Sequence, residues 1–321
     1  MKKKARILIV GSLVMDLIVS TPRFPNAGET VLGTDYRTAS GGKGANQAVQ
    51  AALLGADVTM VGRVGEDAFG EEMIASLQQA GVHTKHLKRT PGVSSAIGNV
   101  QLEIAPDGTT QNRIIVVSGA NMKITQEDVA FLEKEMDHFD MVILQFEIPM
   151  QINEWVADCA FRNNVPVMIN TAPSAPASDY LLSRAAYVSP NEHEAQDMTG
   201  IPVVTAEDAA RASQILLDRG VGHVIITRGA QGAVLTDRDG SIDSPCVTCE
   251  HVADPTAAGD SFIAAFCTAV SLGADHENAL RFANYTAHIT VSRMGAQPSL
   301  PTLGEVLRLM EKDGIDISLF D

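Results

Sequence analysis

Short apolar runs alternate with helical patterns that end at glycine, and this alternation restricts the fold of the chain more than any other feature. The runs that resemble buried strands are Ile7 to Val10, Val58 to Val61, Met141 to Leu144, Val165 to Ile169 and Val224 to Ile226. The helical patterns are Ala45 to Leu54, Phe69 to Ala80, Ala206 to Arg219, Ala258 to Leu272, Glu277 to Ser292 and Leu303 to Glu311. We therefore predict a three-layer α/β/α fold with a mostly parallel central sheet.

Two segments break this alternation and predict a small antiparallel β-sheet. Polar and apolar residues alternate from Asn99 to Ile104, Pro106-Asp107-Gly108 follows as a turn, and Arg113 to Val117 forms a second strand. A similar stretch runs from Glu29 to Thr38. We expect residues 14–38 and 94–118 to form a lid over a site, with an apolar face that a second subunit covers. The alternative is that these strands extend the edge of the main sheet.

The remaining segments, residues 1–13, 39–93 and 119–321, are expected to form one large α/β domain. The 321-residue chain carries 39 acidic and 24 basic side chains, a formal net charge of -15, which argues against a nucleic-acid partner. Lys2 to Lys4 precede an apolar stretch as in a secretory signal, but Asp16 interrupts it and no cleavage site follows. Without a membrane-spanning run and with four irregularly spaced cysteines, we expect a cytoplasmic protein.

Residues 254–262 carry the strongest chemical signal in the sequence. Ala257, Ala258 and Gly259 precede Asp260 at the predicted start of an apolar helix. Small side chains at a helix N-terminus let main-chain N–H groups approach an anion, and the helix dipole favours negative charge there. Asp260 can accept a proton from an attacking hydroxyl while these amides stabilise a transferred phosphoryl group. Alternatively, Asp260 only complements the helix dipole, as many first-turn acids do.

A second stretch, residues 41–48, opens the helix that ends before Gly55. Its sequence is Gly-Gly-Lys-Gly-Ala-Asn-Gln-Ala, which lacks the serine or threonine of a Walker A loop after the lysine. Lys43 and Asn46 offer hydrogen-bond donors and an acceptor for a polyhydroxylated ligand. Taken alone, such a glycine-rich helix start is more often a tight turn than a site. The eight histidines show no metal-ligand spacing.

Together and in this order, the two stretches resemble the ribokinase-like carbohydrate kinases of the phosphofructokinase B type. The resemblance covers nearly the whole chain, because weaker markers fall in the family's order. These markers are Gly11-Ser12 with Asp16, Glu147, Asn170 to Pro173, Asn191 to Glu194, Thr227 to Gly232 and Gly295 to Ser299. Besides the fold and lid, the resemblance implies an ATP-dependent kinase that phosphorylates the primary C5 hydroxyl of a pentose, with D-ribose as first candidate, and a homodimer formed through the lid.

The resemblance also implies roles for individual residues. Asp260 is the implied catalytic base, and Ala257, Ala258 and Gly259 form the implied anion hole for the γ-phosphoryl group. The implied sugar ligands are Asp16, Gly42, Lys43, Gly44, Asn46, Glu147 and Asp260. The implied nucleotide ligands are Asn191, Thr227, Arg228, Gly229, Ala230, Gln231, Gly232, Gly259 and Asn284.

Two cations belong to this expectation. Glu194, in the Asn-x-x-Glu element that starts at Asn191, is implied to organise Mg²⁺, largely through water. The implied potassium site, in which main-chain carbonyls coordinate K⁺, comprises Asp254, Thr256, Thr290, Arg293, Gly295 and Ser299. The sequence departs from the family at Pro255, where threonine is commoner, so one N–H donor is missing from this loop.

A second departure concerns the sugar. Val14 stands where the family's ribose kinases carry an asparagine that faces C2 of the sugar. Because valine forms no hydrogen bond with a hydroxyl, we hypothesise that 2-deoxyribose or another sugar that differs at C2 is tolerated. Two further alternatives stay open: a nucleoside kinase of the same family, and a sugar-binding regulator without turnover. The complete 41–48 stretch argues against the first, and the retained Asp260, Gly259 and Glu194 argue against the second.

Overall fold

The computed structural model describes residues 4–104, 110–249 and 251–320. Its strands are β1 (Arg6–Val10), β2 (Val14–Thr21), β3 (Asp35–Gly41), β4 (Asp57–Gly65), β5 (His83–Thr90), β6 (Ala96–Ile104), β7 (Thr110–Val117), β8 (Met141–Gln145), β9 (Val167–Asn170), β10 (Tyr187–Ser189), β11 (His223–Thr227), β12 (Ala233–Thr236) and β13 (Ser241–Ser244). Its α-helices are α1 (Lys43–Leu53), α2 (Ala68–Gln79), α3 (Gln126–Val129), α4 (Leu132–Glu135), α5 (Met150–Arg162), α6 (Asp179–Leu182), α7 (Glu192–Thr199), α8 (Ala206–Asp218), α9 (Ala258–Leu272), α10 (His276–Val291) and α11 (Leu303–Lys312). Apart from Glu29 to Thr38, the predicted strands and helices are thus present, with boundaries within a few residues.

Nine of these strands form one sheet in the order β13-β12-β11-β10-β9-β8-β1-β4-β5. All neighbours from β5 to β11 pair in parallel, whereas β12 and β13 are antiparallel additions at one edge. Side chains of β1 alternate between two hydrophobic cores: Ile7 and Ile9 lie in one, and Leu8 and Val10 lie in the other. Helices cover both cores, so the prediction of three layers around a mostly parallel sheet is confirmed.

The remaining four strands form a separate sheet, the lid sheet, in the order β3-β2-β6-β7. The prediction of a small second sheet is confirmed, but this sheet is not wholly antiparallel, because β2 and β6 pair in parallel. The chain enters β2 from β1 and β6 from β5, two parallel strands of the large sheet. It therefore runs into the lid in the same direction twice. The division of the chain into two domains at the stated boundaries stays a prediction.

One predicted strand is largely wrong. Glu29 to Thr38 was expected to be extended throughout, but β3 begins only at Asp35. The Glu29 carboxylate accepts hydrogen bonds from the main-chain N–H of Asn26 and from Arg23, which holds residues 23–29 in a turn. The predicted turn at Pro106-Asp107-Gly108 lies outside the described residues.

The carboxyl ends of the parallel strands meet at one edge of the large sheet, and this edge carries most of the polar motifs. Ser12 follows β1, Glu147 follows β8, Thr171 follows β9 and Asn191 follows β10. In open α/β sheets this edge is the usual place for ligands. Within the described residues, no helix has both the length and the apolar composition needed to cross a membrane.

Candidate active site

The first element of the site is the N-terminus of α1, which lies against the connection between β1 and β2. Gly42 has a φ of 92°, and a Cβ there would lie 2.7 Å from the main-chain nitrogen of Val14. A Cβ at Gly44 would lie 2.6 Å from the nitrogen of Ser12. The two glycines thus let α1 approach the chain's own backbone, which brings Lys43, Asn46 and the end of β1 together.

Asp260, in the first turn of α9, lies directly opposite this helix start. Its side chain is buried, with the residue 6% exposed. Asn46 Nδ2 donates to Oδ2 of Asp260 over 2.9 Å, and Gln47 Nε2 donates to Oδ1 over 2.9 Å. Burial raises the pKa of Asp260, while the charge of Lys43 and these two amides oppose the shift. Two residues of the glycine-rich stretch therefore orient a carboxylate that is disposed to take up a proton.

The start of α9 forms an open cradle beside Asp260. Ala257, the N-cap, has a φ of 62°, in the left-handed region that non-glycine residues seldom adopt. Ala258 N–H donates to the carbonyl of Pro255 over 3.2 Å. A Cβ added at Gly259 would meet no atom within 4 Å. Open space therefore lies beside Gly259 at a helix end whose first N–H groups lack helical partners, as an anion site requires, and Ala258 N–H is the one of these groups that Pro255 engages.

A carboxylate from the end of β8 faces the same helix start. Glu147 Oε2 accepts hydrogen bonds from the Ser12 hydroxyl and from the main-chain N–H of Lys43, the latter over 3.1 Å. Burial lowers the pKa of the Lys43 ammonium, but the carboxylates of Asp260, Glu147 and Glu194 raise it, and the net shift is upward. The ammonium is therefore held in its charged form among three carboxylates.

Asp16, on β2 of the lid sheet, supplies a further carboxylate. It lies between two glycines of neighbouring strands: a Cβ at Gly98 would be 2.2 Å from Oδ1, and a Cβ at Gly41 would be 3.0 Å from Oδ2. Burial, and secondarily the charge of Glu147, raises the pKa of Asp16 to about 6. Asp16 thus joins the lid to the group of acids around Lys43.

Asn191 and Glu194 form a capping box at the start of α7. Glu194 N–H donates to Asn191 Oδ1 over 2.9 Å, while the two Glu194 oxygens accept from Asn191 N–H at 3.0 Å and Asn191 Nδ2 at 2.9 Å. Thr171 Oγ1 also donates to Glu194, over 3.2 Å. The Glu194 oxygens are therefore engaged within the protein, an arrangement that suits contact with a metal ion through water rather than direct ligation.

A cavity of about 220 Å³ connects several of these groups, but Asp16, Asn46 and Glu147 are not among its lining residues. It is lined by Lys43, Asn170, Ala172, Ser189, Asn191, Glu194, Thr227, Pro255, Ala257, Gly259, Asp260 and Ile263. Lys43 and Asp260, which lie far apart in sequence, face one space together with Glu194. The Ser189 hydroxyl is buried and has no hydrogen-bond partner among the described residues, so it is free to bind a ligand.

The predicted nucleotide segment, Thr227 to Gly232, follows β11. Thr227 lines the cavity, and Gly229, Ala230 and Gln231 form a 3₁₀ turn. Arg228 is engaged within the protein: its guanidinium donates to Asp243 Oδ1 over 2.5 Å and to Gln231 Oε1 over 3.1 Å. A Cβ at Gly232 would lie 2.1 Å from the carbonyl oxygen of Ser244. Thr227 therefore borders the cavity, while Arg228 and Gly232 stabilise the loop that follows it.

A second cavity of about 340 Å³ lies beyond this loop, between β13 and α10. Asn284 is not among its lining residues. The Asn284 side chain is buried behind the wall, where Nδ2 donates to Ser244 Oγ over 2.9 Å and to the carbonyl of Pro245 over 3.1 Å. Asn284 thus shapes the cavity by holding Ser244 and Pro245, which do line it.

Two of the predicted potassium residues, Thr256 and Gly295, contact Asp254 directly. Its carboxylate accepts from Thr256 N–H and from Gly295 N–H, each over 2.9 Å. Thr290 and Ser299 donate their hydroxyl groups to the carbonyls of Thr286 and Ala296, and Arg293 pairs with Glu305 over 2.6 Å. Side chains are therefore engaged within the protein, and main-chain carbonyls are the ligands this region can offer. Such oxygens suit a monovalent cation.

Sequence reasoning assigned no role to Gln47, although Gln47 is one of two donors to Asp260. Gln47, Asn46 and Gln50 are buried amides in a helix whose other buried residues are glycine, alanine and valine. Amide side chains in an otherwise apolar helix were the sequence signal that could have identified Gln47, because buried polar groups need hydrogen-bond partners. Gln145 at the end of β8 extends this network by donating to Gln47 Oε1 over 2.6 Å.

Comparison with known proteins gives a consistent result. Residues 4–303 match the pfkB family of carbohydrate kinases. A ribokinase of Bacillus subtilis is 38% identical over 304 residues, which cover 95% of this chain and 99% of the relative. A deoxyribokinase of Salmonella typhi is 30% identical over 298 residues, which cover 92% of this chain and 96% of the relative.

A solved structure agrees with the fold described above. The structure of Arabidopsis thaliana ribokinase complexed with ribose and ATP has a TM-score of 0.88 and 34% identity, and the match covers 96% of this chain and 99% of that one. The similarity thus extends over nearly the whole of both chains. The chain belongs to the pfkB family of carbohydrate kinases and is a phosphotransferase that uses an alcohol group as acceptor.

Proposed function

We propose that this chain phosphorylates D-ribose at the C5 hydroxyl with ATP as phosphoryl donor. The observation that carries the proposal is the hydrogen bond of 2.9 Å between Asn46 of the glycine-rich helix start and Asp260 of the α9 start. This contact puts the polar groups suited to a polyol next to the cradle suited to a phosphoryl group. Ribokinases with 36 to 38% identity over nearly the full length support ribose as the sugar.

Asp260 acts as the general base in this proposal. Its carboxylate takes the proton of the C5 hydroxyl as that oxygen attacks the γ-phosphorus. The raised pKa of the buried group increases its affinity for the proton, and the Asn46 and Gln47 amides fix the direction of its oxygens. Alignment of the hydroxyl with the phosphoryl group then supplies much of the rate enhancement.

The start of α9 and Lys43 stabilise the charge on the transferred group. In this proposal the main-chain amides of Ala257 and Gly259 donate to the phosphoryl oxygens, and Ala258 N–H joins them by exchanging the Pro255 carbonyl for a phosphoryl oxygen. The helix dipole adds to their effect. Lys43, charged and facing the same cavity, balances the negative charge that Asp260 and the phosphates bring together. Thr227 to Gly232 border the remaining phosphates and the nucleotide.

The sugar hydroxyls are held by acceptors from both sheets. Glu147 and Asp16 accept from hydroxyl groups, while Lys43 and Asn46 contact them from the helix start. Asn46 Oδ1 is buried without a partner among the described residues. A sugar hydroxyl that donates to this oxygen would satisfy it, so binding of a polyol removes the cost of a buried unpaired acceptor. Gly42 and Gly44 allow this close approach.

Two cations complete the proposed site. Glu194, with Asn191, would hold the hydration shell of Mg²⁺, which supplies charge neutralisation to the phosphates when bound. Main-chain carbonyls of the loops that contain Asp254, Thr256, Thr290, Arg293, Gly295 and Ser299 would coordinate K⁺. Pro255 offers no N–H, but Asp254 already receives both its donors from Thr256 and Gly295. The loop therefore forms without the missing donor.

A second candidate substrate, 2-deoxyribose, is favoured by Val14. This residue is buried and precedes Asp16 by two positions, so both side chains lie on one face of β2. The apolar Val14 side chain offers no hydrogen bond to a 2-hydroxyl group. A sugar without that hydroxyl therefore leaves no hydrogen-bond donor of the protein unpaired at this position. A deoxyribokinase with 30% identity supports this candidate.

We also propose a homodimer in which two lid sheets meet, in the cytoplasm. Ile18, Val100 and Ile114 lie side by side across β2, β6 and β7, on the face that carries Asp16. Ile114 is 54% exposed and Val116, on the same face, is 56% exposed. A second copy would cover this apolar face. Free Cys159, Cys246, Cys249 and Cys267 are in keeping with a reducing compartment.

The test is a coupled assay of ADP formation with Mg²⁺ and ATP over ribose, 2-deoxyribose, fructose and adenosine, with K⁺ or with Na⁺. We expect kcat/KM to be greatest for a pentose and K⁺ to raise turnover. Comparable values for ribose and 2-deoxyribose would support the second candidate, whereas a preference of about 10³-fold or more for ribose would remove it. Adenosine as the best acceptor, or ribose binding without ADP formation, would contradict the proposal.

A further inference from the structure

Two histidines and an aspartate meet at the opposite edge of the large sheet from the active site. His223 begins β11, whose last residue Thr227 lines the active-site cavity. Asp237 follows β12, and His276 begins α10. One ring nitrogen of each histidine and one carboxylate oxygen all lie within 4.8 Å of one another. Sequence spacing gave no sign of this cluster, because three separate elements supply its members.

Hydrogen bonds already orient two of these side chains. Nδ1 of His223 lies 3.1 Å from the carbonyl oxygen of Ala186, which can only accept, so Nδ1 donates there and Nε2 is the ring nitrogen that faces the cluster. Nε2 is 3.8 Å from Oδ2 of Asp237. The other Asp237 oxygen, Oδ1, accepts from Asp239 N–H at 2.8 Å and Gly240 N–H at 3.0 Å. One free oxygen and one free nitrogen therefore face each other.

His276 is held in a comparable way. Its Nε2 lies 3.0 Å from the hydroxyl oxygen of Tyr187, and its ring packs edge-on against the His223 ring, with centroids 4.6 Å apart. Burial, and then the proximity of His223, lowers the pKa of His276. Neutral imidazoles with one nitrogen fixed by a protein oxygen are the usual form of histidine ligands to metals.

We propose that His223, Asp237 and His276 bind a divalent transition-metal ion, with Zn²⁺ as the best fit. Two imidazoles and one carboxylate suit zinc and its neighbours, whereas Mg²⁺ and Ca²⁺ prefer oxygen ligands alone. Tetrahedral ligation at about 2.1 Å requires ligand atoms about 3.4 Å apart, so small side-chain rotations close the site. The side chains of His223 and Asp237 are 29% and 25% exposed, which leaves a path for the ion and room for a water as fourth ligand.

Bound metal would connect the edge of the sheet to α10. His276 is the first residue of α10, the helix that also carries Asn284 and Thr290. A metal ion that binds only the folded state stabilises that state by an amount that rises with the logarithm of its concentration above the dissociation constant. The proposal rests on the geometry of this cluster and is independent of the proposed sugar and nucleotide.

The test is isothermal titration of the full-length apo protein with ZnCl₂ without nucleotide, together with thermal unfolding at increasing zinc. We expect one zinc per chain and a melting temperature that rises with zinc. His223→Ala, Asp237→Ala and His276→Ala should each lower zinc affinity at least about 10-fold and remove the thermal effect. Tyr187→Phe should lower affinity by about 10-fold, as loss of an orienting partner does.

Two controls separate this cluster from other zinc ligands. His138→Ala removes a histidine whose side chain is 66% exposed, outside the cluster, and should leave zinc binding unchanged. Cys246→Ser combined with Cys249→Ser removes the one Cys-x-x-Cys pair and should also leave it unchanged. If alanine variants misfold, His223→Gln and His276→Gln serve instead. Zinc binding that survives all cluster variants, or is lost with the cysteine pair, would overturn the proposal.

Discussion

Buried carboxylates with raised pKa values dominate the chemistry at the scale of single residues. Asp260 lies on helix α9 and Asp16 lies on strand β2 of the lid sheet. Burial is the largest cause of the raised pKa in both. The two differ in their partners: Asp260 accepts two amide hydrogen bonds, whereas Asp16 lies against two glycines. In the proposed function, the same physical cause would serve two purposes, proton uptake by Asp260 and hydroxyl binding by Asp16.

Asp260→Asn should lower kcat by at least about 100-fold and preserve sugar binding, because the variant keeps the volume of the side chain but loses the base. Single-turnover kinetics and sugar titration measure the two effects separately. Asp197→Asn, which alters an acid outside the cavity, is the matched control. An unchanged turnover would exclude Asp260 as the base.

The affinity for the sugar should fall as pH drops below about 6, because Asp16 becomes protonated there and no longer accepts with both oxygens. Titration of the sugar from pH 5 to 8 measures this effect, and Asp16→Asn should bind weakly with little change over that range. The raised pKa also means that protonated Asp16 favours the folded state. That contribution is complete below pH 3.8 and is lost as pH rises through 6. Wild-type affinity that stays constant from pH 5 to 8 would contradict the role of Asp16.

Val14→Asn should raise the preference for ribose over 2-deoxyribose by about 10-fold or more, because an amide at this position gains a partner only in the sugar with a 2-hydroxyl. The ratio of kcat/KM for the two sugars is the measurement. Val14→Thr is a smaller change at the same position and should produce a smaller shift. A ratio that does not respond to either substitution would place Val14 away from C2.

At the scale of elements, the candidate site is built on two helix N-termini, and each contains glycine for a different reason. In α1, Gly42 and Gly44 admit the neighbouring backbone, so their role is packing. In α9, Gly259 faces open space, so its role is to leave room for a ligand. The contrast follows from what each missing Cβ would meet, which is visible only once the chain is folded.

Gly42→Ala and Gly259→Ala should therefore affect different properties, the first the stability of the fold and the second the binding of ATP. The first introduces a Cβ 2.7 Å from Val14 N at a φ of 92° and should destabilise the fold by more than about 1 kcal/mol. The second should change stability by less than about 0.5 kcal/mol but raise KM for ATP, since a methyl group enters the phosphate cradle. Urea unfolding and ATP kinetics on both variants make the comparison. Equal loss of stability would contradict this assignment.

The elements were predictable where local pattern decides them. The apolar run from Ala258 to Leu272 corresponds to α9 with both boundaries correct, because a small-residue start and a following glycine frame it. The prediction of a strand from Glu29 to Thr38 was wrong because the Glu29 carboxylate binds Arg23 and Asn26. The alternation of polar and apolar residues cannot reveal such an interaction. The role of Gln47 was missed because periodicity predicts that a residue is buried but not which group its amide will bond. His223, Asp237 and His276 become neighbours only through the sheet order.

At the scale of the whole molecule, the lid sheet connects the site to the surface. Asp16 and Gly98 pair across β2 and β6, and Gly98 pairs with Val116 on β7, so one face of the lid runs from the proposed sugar site to an exposed apolar edge. Subunit association over that face would affect the sugar end of the site. Activity and oligomeric state are therefore expected to be coupled.

Ile114→Asp combined with Val116→Asp should dissociate the proposed dimer and raise KM for the sugar, because charges would enter the face between two lids. Light scattering coupled to size-exclusion chromatography measures the assembly. Ile115→Asp changes the same strand on its opposite face, where the residue is 63% exposed, and should leave the dimer intact. A wild-type chain that is monomeric at micromolar concentration would contradict the proposal.

Gly98 has a consequence for any screen of natural or engineered variants. The position lies on a lid strand well away in sequence from every motif, and a tolerance map based on motif membership would mark it as free to vary. Yet any side chain there must displace the Asp16 carboxylate, whose Oδ1 would be 2.2 Å from the new Cβ. Alleles with a substitution at codon 98 should thus reproduce the defect of an Asp16 allele, and should do so without a loss of protein abundance.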